Sequence, residues 1–200
     1  MGATADNFDG TKIILGPGKL YADVAVPSAG ARMTLDSGGT PDSTANPLAK
    51  HLGLTAAGAV VELGLNVQDF ESDELTSPHL SRIITSPVSI KAELLQIADF
   101  TDVMKYVTPQ ATYATASGYK QLSLGGQSAI TTYSFALIAP TVADPTKMLV
   151  VHLYKAYNKA PFSFNVTRKE QAKAQIELVG LAIATRAVND QVGNLWQQIA

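Results

Sequence analysis

Apolar and polar positions along the chain mostly alternate with a period of two. Val61, Leu63, Leu65 and Val67 alternate with Glu62, Gly64, Asn66 and Gln68. That spacing predicts one half-buried strand over Val61–Phe70, apolar face inward. Val88, Ile90, Ala92 and Leu94 stand opposite Ser89, Lys91 and Glu93, and Ala174, Ile176 and Leu178 stand opposite Lys173, Gln175 and Glu177. Further apolar or β-branched runs lie at Lys19–Val24, Ile130–Ile138, Met148–Tyr157 and Phe162–Val166. Breaks such as Ser117–Gly118, Gly125–Gly126 and Asp144–Pro145 separate them. Many short strands with turn punctuation predict a mainly β fold, a β-sandwich or partly closed barrel.

Two segments depart from this pattern. Phe100, Val103, Met104 and Val107 recur at helical spacing, with Asp99 or Thr101 as a start cap and Pro109 beyond the end. They predict one short helix that needs the sheet to lie against. Residues Ser28–Gly58 are rich in Gly, Pro, Ser and Thr. They read as a long loop with at most a short strand at Arg32–Leu35, expected to be mobile in a free subunit and to order against a neighbour. The segment from about 185 to 200 carries Val188, Val192, Leu195 and Ile199 in a helical stripe weakened by Gly193. It reads as a helix or an interface arm. The 200 residues form one domain on this reading.

Composition narrows the chemistry. The chain has no cysteine, which removes disulfides, thiolate metal sites and thiol nucleophiles. No run approaches the ~20 apolar residues of a membrane span. Met1–Gly10 lacks the layout of a signal peptide, so a cytoplasmic site of synthesis is expected. The net charge of −2 gives no sign of a tight nucleic-acid grip. Charge is nonetheless segregated. Glu62, Asp69, Glu71, Asp73 and Glu74 form an acidic stretch, and Lys147, Lys155, Lys159, Arg168, Lys169 and Lys173 a basic one. These are either solvated strand ends or complementary faces of a self-associating protein.

Catalytic patterns are thin. Asp36-Ser37-Gly38 matches the loop that supplies one carboxylate of an aspartic protease dyad, but the dyad needs two, and the following Gly39-Thr40-Pro41-Asp42 reads as a solvated turn. Gly16-Pro17-Gly18-Lys19 lacks phosphate-loop spacing, with Ile13 and Leu20 where Gly and Ser/Thr are required. His51, His79 and His152 have no metal-like spacing, and His152 reads as a hydrogen-bonded packing residue within an apolar strand. No Gly-x-Ser-x-Gly elbow is present. Asn165-Val166-Thr167 is a sequon by pattern only. Tyr154, Tyr157, Phe162 and Phe164 near the basic stretch could stack bases, but strand alternation accounts for them as core. No cofactor or metal is expected.

Several dispersed segments together resemble the tail tube proteins, or major tail proteins, of long-tailed bacteriophages. Gly18-Lys19-Leu20-Tyr21 followed by Val24 looks like their N-terminal strand. The stretch Leu63–Val107 is similar to their central region: a strand over Val61–Phe70, an acidic turn Glu71-Ser72-Asp73-Glu74, strands through Arg82–Ile84 and Ser89–Leu95, then a helix from Asp99-Phe100. The strand Gln171–Ala184 also matches, whereas Ser28–Gly58 and the tail Asn194–Ala200 do not.

The resemblance implies a structural virion protein rather than an enzyme. Such subunits form six-membered rings that stack into a hollow tube around a tape measure protein. The tube is closed by tail terminator and distal tail proteins, and double-stranded DNA passes through without specific binding. A conduit for DNA must not carry a basic wall, since Lys and Arg would hold phosphate by counterion release. Glu62, Asn66, Gln68, Lys91 and Glu93 are accordingly expected to face the lumen, with Glu93 as the carboxylate that offsets Lys91. Asp36, Asp42, Asp69, Glu71, Asp73, Glu74, Lys155, Lys159, Arg168 and Lys169 are expected at subunit contacts. Assembly would occur in the host cytoplasm, away from membranes. A contractile-tail or related injection-machine tube, a small β-rich hydrolase using Asp36, and a soluble binding module are the alternatives.

Overall fold

The computed structural model describes residues 18–64, 66–70, 80–85, 87–94, 103–109, 111–125, 128–141, 144–161 and 174–198. It is mainly β, as the alternation predicts. The elements are β1 (Lys19–Ala22), β2 (Lys50–Leu63), β3 (Asn66–Phe70), β4 (Leu80–Thr85), β5 (Val88–Leu94), the single helical turn α1 (Lys105–Val107), β6 (Ala111–Ala116), β7 (Tyr119–Leu124), β8 (Tyr133–Pro140), β9 (Met148–Asn158), β10 (Ala174–Gly180), a 3-10 turn at Val188–Asp190, and β11 (Gly193–Gln197).

Seven strands form the main sheet in the order β10-β5-β2-β1-β8-β9-β11. The last part of β9 also pairs with β10, over Leu178↔Asn158, Val179↔Tyr157 and Gly180↔Ala156. The sheet therefore curls until its two sides meet over this short stretch, consistent with a sandwich or partly closed barrel. β3–β4 and β6–β7 are separate two-stranded sheets.

The enclosed face holds the main core: Leu20, Leu52, Ile90, Leu94, Phe135, Leu137, Val151, Leu153, Ile176 and Leu178, with Val103 packed in just before α1 and Tyr106 and Val107 from it. These side chains recur at alternate strand positions, so burial follows from the pleat. α1 is too short to be stable alone. Tyr106 donates a 2.6 Å hydrogen bond to Asp23 Oδ2, and Asn158 Nδ2 donates to the Val107 carbonyl at 2.7 Å. Asn158 Oδ1 accepts from the Glu177 amide at 2.9 Å, so one buried amide joins α1, β9 and β10. The expected helix start at Asp99–Thr101 lies outside the described residues, as do Leu65, His79 and the Phe162–Val166 run.

Three expectations are corrected. The strand expected over Val61–Phe70 is two strands. β2 ends at Leu63, the Gly64 amide donates to the Pro87 carbonyl, and Asn66 begins β3 in a different sheet. Leu63, expected in the core, is 68% exposed. The long loop is shorter than expected, because Lys50–Gly58 belongs to β2. That stretch is poor in β-formers, but its neighbours hold it: β1 pairs with Lys50–Leu54, and β5 pairs at Thr55 and Ala59–Leu63. Gly53 (φ 126°) and Gly58 (φ 86°) lie beside the register shifts, where a positive φ favours glycine. Instead of the short strand at Arg32–Leu35 there is only an isolated bridge, Leu35↔Pro41. Lastly, the stripe read as a possible helix is β11, an antiparallel partner of β9 from Gly193↔Leu153 to Gln197↔Leu149. A Cβ at residue 193 would collide with the His152 carbonyl, so Gly193 permits this close pairing.

Candidate functional site

Two surfaces differ in chemistry from an ordinary solvated exterior. The first is the outward face of β2, β5 and β10. Cross-strand pairing sets Glu62 against Ser89, and Lys91 against Val60 on one side and Glu177 on the other. Glu93 lies opposite Gln175. Lys91 Nζ is 2.8 Å from Glu62 Oε2 and 4.0 Å from Glu177 Oε1, and Ser89 Oγ donates to Glu62 at 3.4 Å. The hydrogen bond from Lys91 holds the Glu62 carboxyl below its ordinary range, and the same contact raises the Lys91 ammonium. Among the described residues of β2, β5 and β10, the carboxylates of Glu62, Glu93 and Glu177 thus accompany the Lys91 ammonium, with Lys159 beside Glu177 at the edge.

The structure brings Glu62, Lys91 and Glu93 together, as alternation predicted, but not Asn66 and Gln68. Those two are exposed on β3, in another sheet. The carboxylate that meets Lys91 is Glu62, with Glu177 behind it, rather than the expected Glu93, because cross-strand neighbours approach more closely than residues two apart on one strand.

The second surface is apolar. One open end of the curled sheet forms a groove of about 820 Å³, lined among others by Val61, Leu63, Val88, Leu181, Val188 and Leu195. Among the described residues, no Asp, Glu, Lys or Arg lines it. Val188 is 84% and Leu195 54% exposed. Exposed apolar side chains thus cluster around one groove, although Asn189, Gln191 and Asn194 also line it.

The expected contact residues are dispersed. Asp36 closes its own turn, accepting from the Gly38 and Thr40 amides at 2.9 and 2.8 Å and from Thr40 Oγ1 at 2.6 Å. Hydrogen bonding by Thr40 depresses its carboxyl. Asp42 accepts from the Thr44 amide, and its carbonyl accepts from Asn46 Nδ2. Lys155 and Lys159 are exposed at β9 and just after it. Asp69 is placed on β3 opposite Ser81. Glu71, Asp73, Glu74, Arg168 and Lys169 lie outside the described residues.

Sequence reasoning missed the covered exterior of β1, β8, β9 and β11. The loop before β2 lays Met33, Leu35 and Ala49 over Tyr21, Val24, Ala136, Ile138, Val150 and Trp196, making a second core. Buried Asn46 fastens the loop by accepting from the Ala25 amide at 3.1 Å. Arg186 and Asp190 clamp its beginning. Arg186 donates to the Pro27 carbonyl at 2.8 Å and to Asp190 Oδ2 at 2.6 Å, while Asp190 accepts from the Gly30 amide and from the Tyr154 hydroxyl. Their i, i+4 spacing was the only sequence signal. His152 is fully buried, edge-on to Tyr154 at 5.1 Å. Among the described residues neither of its ring nitrogens has a hydrogen-bond partner, so it is a packing residue but not the hydrogen-bonded one expected. Burial, then the Arg186 charge, lowers its pKa to about 4.

Among the described residues no group of three His, Asp or Glu could hold a metal ion, and no helix is long and apolar enough to cross a membrane. No family model matches the chain. No curated protein sequence matches it.

Proposed function

We propose that this chain is a structural virion protein that assembles with copies of itself, as the tube subunit of a long-tailed bacteriophage tail. The exposed apolar rim formed by Leu63, Leu181, Val188 and Leu195 carries the self-assembly part of this reading. A rim of that kind marks a contact surface in a stable protein. The mainly β fold with one helical turn against it supports the tube part, in line with the sequence resemblance. The acid surplus around Lys91 supports a place for the β2–β5–β10 face on a lumen wall that releases DNA rather than holding it. The reading carries its partners with it: a tape measure protein inside the tube and terminator and distal tail proteins at its ends. A contractile-tail tube is a variant of the same proposal.

Negative-stain microscopy of purified protein tests it. Rings or tubes of uniform diameter are expected at high concentration or with tape measure protein supplied. A folded chain that remains monomeric under both conditions overturns the proposal.

A further inference from the structure

The cover over β1, β8, β9 and β11 is held in two different ways. Val24 at its start and Met33 further on are buried members of the second core. Between them, residues 25–32 are exposed or half-buried, and none belongs to a core cluster. Polar contacts tie this strap to the structure beneath. Arg186 donates to the Pro27 carbonyl at 2.8 Å, the Gly30 amide to Asp190 Oδ2 at 3.2 Å, and Asn194 Nδ2 to the Ala31 carbonyl at 3.3 Å. Arg32 lies 5.9 Å from the centroid of the Trp196 ring. A segment with little buried apolar surface and partly exposed hydrogen bonds opens at low free-energy cost.

The same contacts enclose His152, which is fully buried with both ring nitrogens unpartnered among the described residues. Asn194 is its partner across β9 and β11. Tyr154 sits edge-on to the ring at 5.1 Å and donates to Asp190 Oδ1 at 2.7 Å. The Arg186 guanidinium is 4.2 Å from the Tyr154 ring centroid. Ala136, the neighbour on β8, carries no charge. Among the described residues these contacts bring in two cations, Arg186 and Arg32, and one carboxylate, Asp190. That carboxylate already accepts from Arg186, Tyr154 and Gly30. A proton on His152 makes a third cation in a buried place with no carboxylate left to meet it. The buried Oδ1 of Asn194 is unpartnered too, but it brings no countercharge.

We propose that the strap and His152 form an acid-sensitive catch, in which protonation of His152 releases residues 25–32 from β9 and β11 while the sheet beneath stays paired. Opening lets the imidazolium reach water, and Val24 and Met33 pin the two ends of what moves. The trigger is the imidazole rather than Asp190. Hydrogen bonds from Tyr154 and then Arg186 hold the Asp190 carboxyl below its ordinary range, so it stays ionised where a free imidazole takes up its proton. The catch works within a single chain and does not depend on self-assembly.

Amide exchange of the wild-type chain, corrected for its intrinsic pH dependence, reads the open fraction. From about pH 7.5 to about pH 5, the Gly30 amide and the peptide over 25–32 should exchange roughly thirtyfold faster, because the ring binds its proton near 6.5 when open and only near 4 when closed. The amides of β8 and β9 should not follow. His152→Leu should remove the rise. His152→Gln, which keeps a polar side chain, should do the same, and circular dichroism verifies the fold of both. A strap whose exchange does not change with pH overturns the proposal. A parallel rise in β8 and β9 overturns it as well, since that is global loss of stability. A rise that survives in either folded variant places the trigger on another group and also overturns it.

Discussion

Two exterior faces of one sheet have opposite fates in this molecule. Over β2, β5 and β10 the outward side chains are mostly polar (Glu62, Ser89, Lys91, Glu93, Gln175 and Glu177, with Val60 and Val179 among them), and they remain partly or fully open to solvent. Over β1, β8, β9 and β11 they are Tyr21, Ala136, Ile138, Val150, His152 and Trp196, and the chain covers them. The backbone ladders are the same kind of antiparallel pairing in both. What differs is side-chain chemistry, and hence what must lie on top. An apolar outer face needs a cover, and the loop before β2 provides it by donating Met33 and Leu35. A mostly charged and polar outer face needs none, and stays open to solvent.

The sharpest way to break that comparison is to weaken the cover. Met33 is 4% exposed although it belongs to a loop rich in Gly, Pro and Ser. Met33→Ala should destabilise the fold by about 3 kcal/mol, the middle of the range for a buried methionine truncation. Urea unfolding checks this. A loss under about 1 kcal/mol, the scale of ordinary surface change, would make the cover a loose flap rather than a core layer.

Acid should attack the same face. Folded His152 takes up a proton only near pH 4, whereas in the unfolded chain it does so near 6.5. The unfolded state therefore binds more protons between those values, and stability falls as pH falls through that window. Above about 6.5 this contribution is constant. At 1.36 kcal/mol per unit, the loss by pH 4 amounts to about 3 kcal/mol. His152→Leu should flatten that part of the pH–stability curve, whatever it does at neutral pH. An unchanged slope between pH 6.5 and 4 would place a proton-accepting partner beside the ring.

How much of this was legible in the sequence depends on where each signal resides. Alternation in Val88–Leu94 and Ala174–Leu178 gave strands and inward faces correctly, because side-chain direction in a strand is a local property, and the apolar run Met148–Tyr157 gave a strand without a face. It failed at Gly64, where a hydrogen bond to Pro87 ends β2 and moves Asn66 and Gln68 to another sheet. It also failed at Lys50–Gly58, whose small residues form a strand only because β1 and β5 pair with them. The helical stripe of Val188, Val192 and Leu195 was real spacing, but pairing with β9 overrode it. The Glu62–Lys91–Glu93 group was readable because one face of two strands was readable. Its true pairing and its extension to Glu177 needed the register, as did the link from buried Asn158 to Val107 and the bond from Arg186 to the Pro27 carbonyl, both made to partners distant in sequence.

The smallest effect should come from the open face. Lys91 and Glu62 are each about half exposed, at 43% and 50%. An exposed pair gains little in water, is screened by salt, and costs side-chain freedom to form. Lys91→Ala should therefore leave the melting temperature unresolved from wild type at physiological salt. Its visible consequence is local: without the ammonium, the Glu62 carboxyl should titrate closer to its ordinary range, which carboxyl NMR can follow. The sign fixes the window. A depressed carboxyl contributes in full above its ordinary range and loses that contribution as pH falls through the depressed value. If the face lines a DNA conduit, the same chemistry predicts an asymmetry. Lys91→Ala removes the cation that Glu62 and Glu177 surround and should not slow DNA delivery from assembled tails. Glu62→Lys with Glu93→Lys turns the face basic and should slow or arrest it through phosphate attraction. Equal delivery by both fully assembled variants would put this face on the outside of the tube.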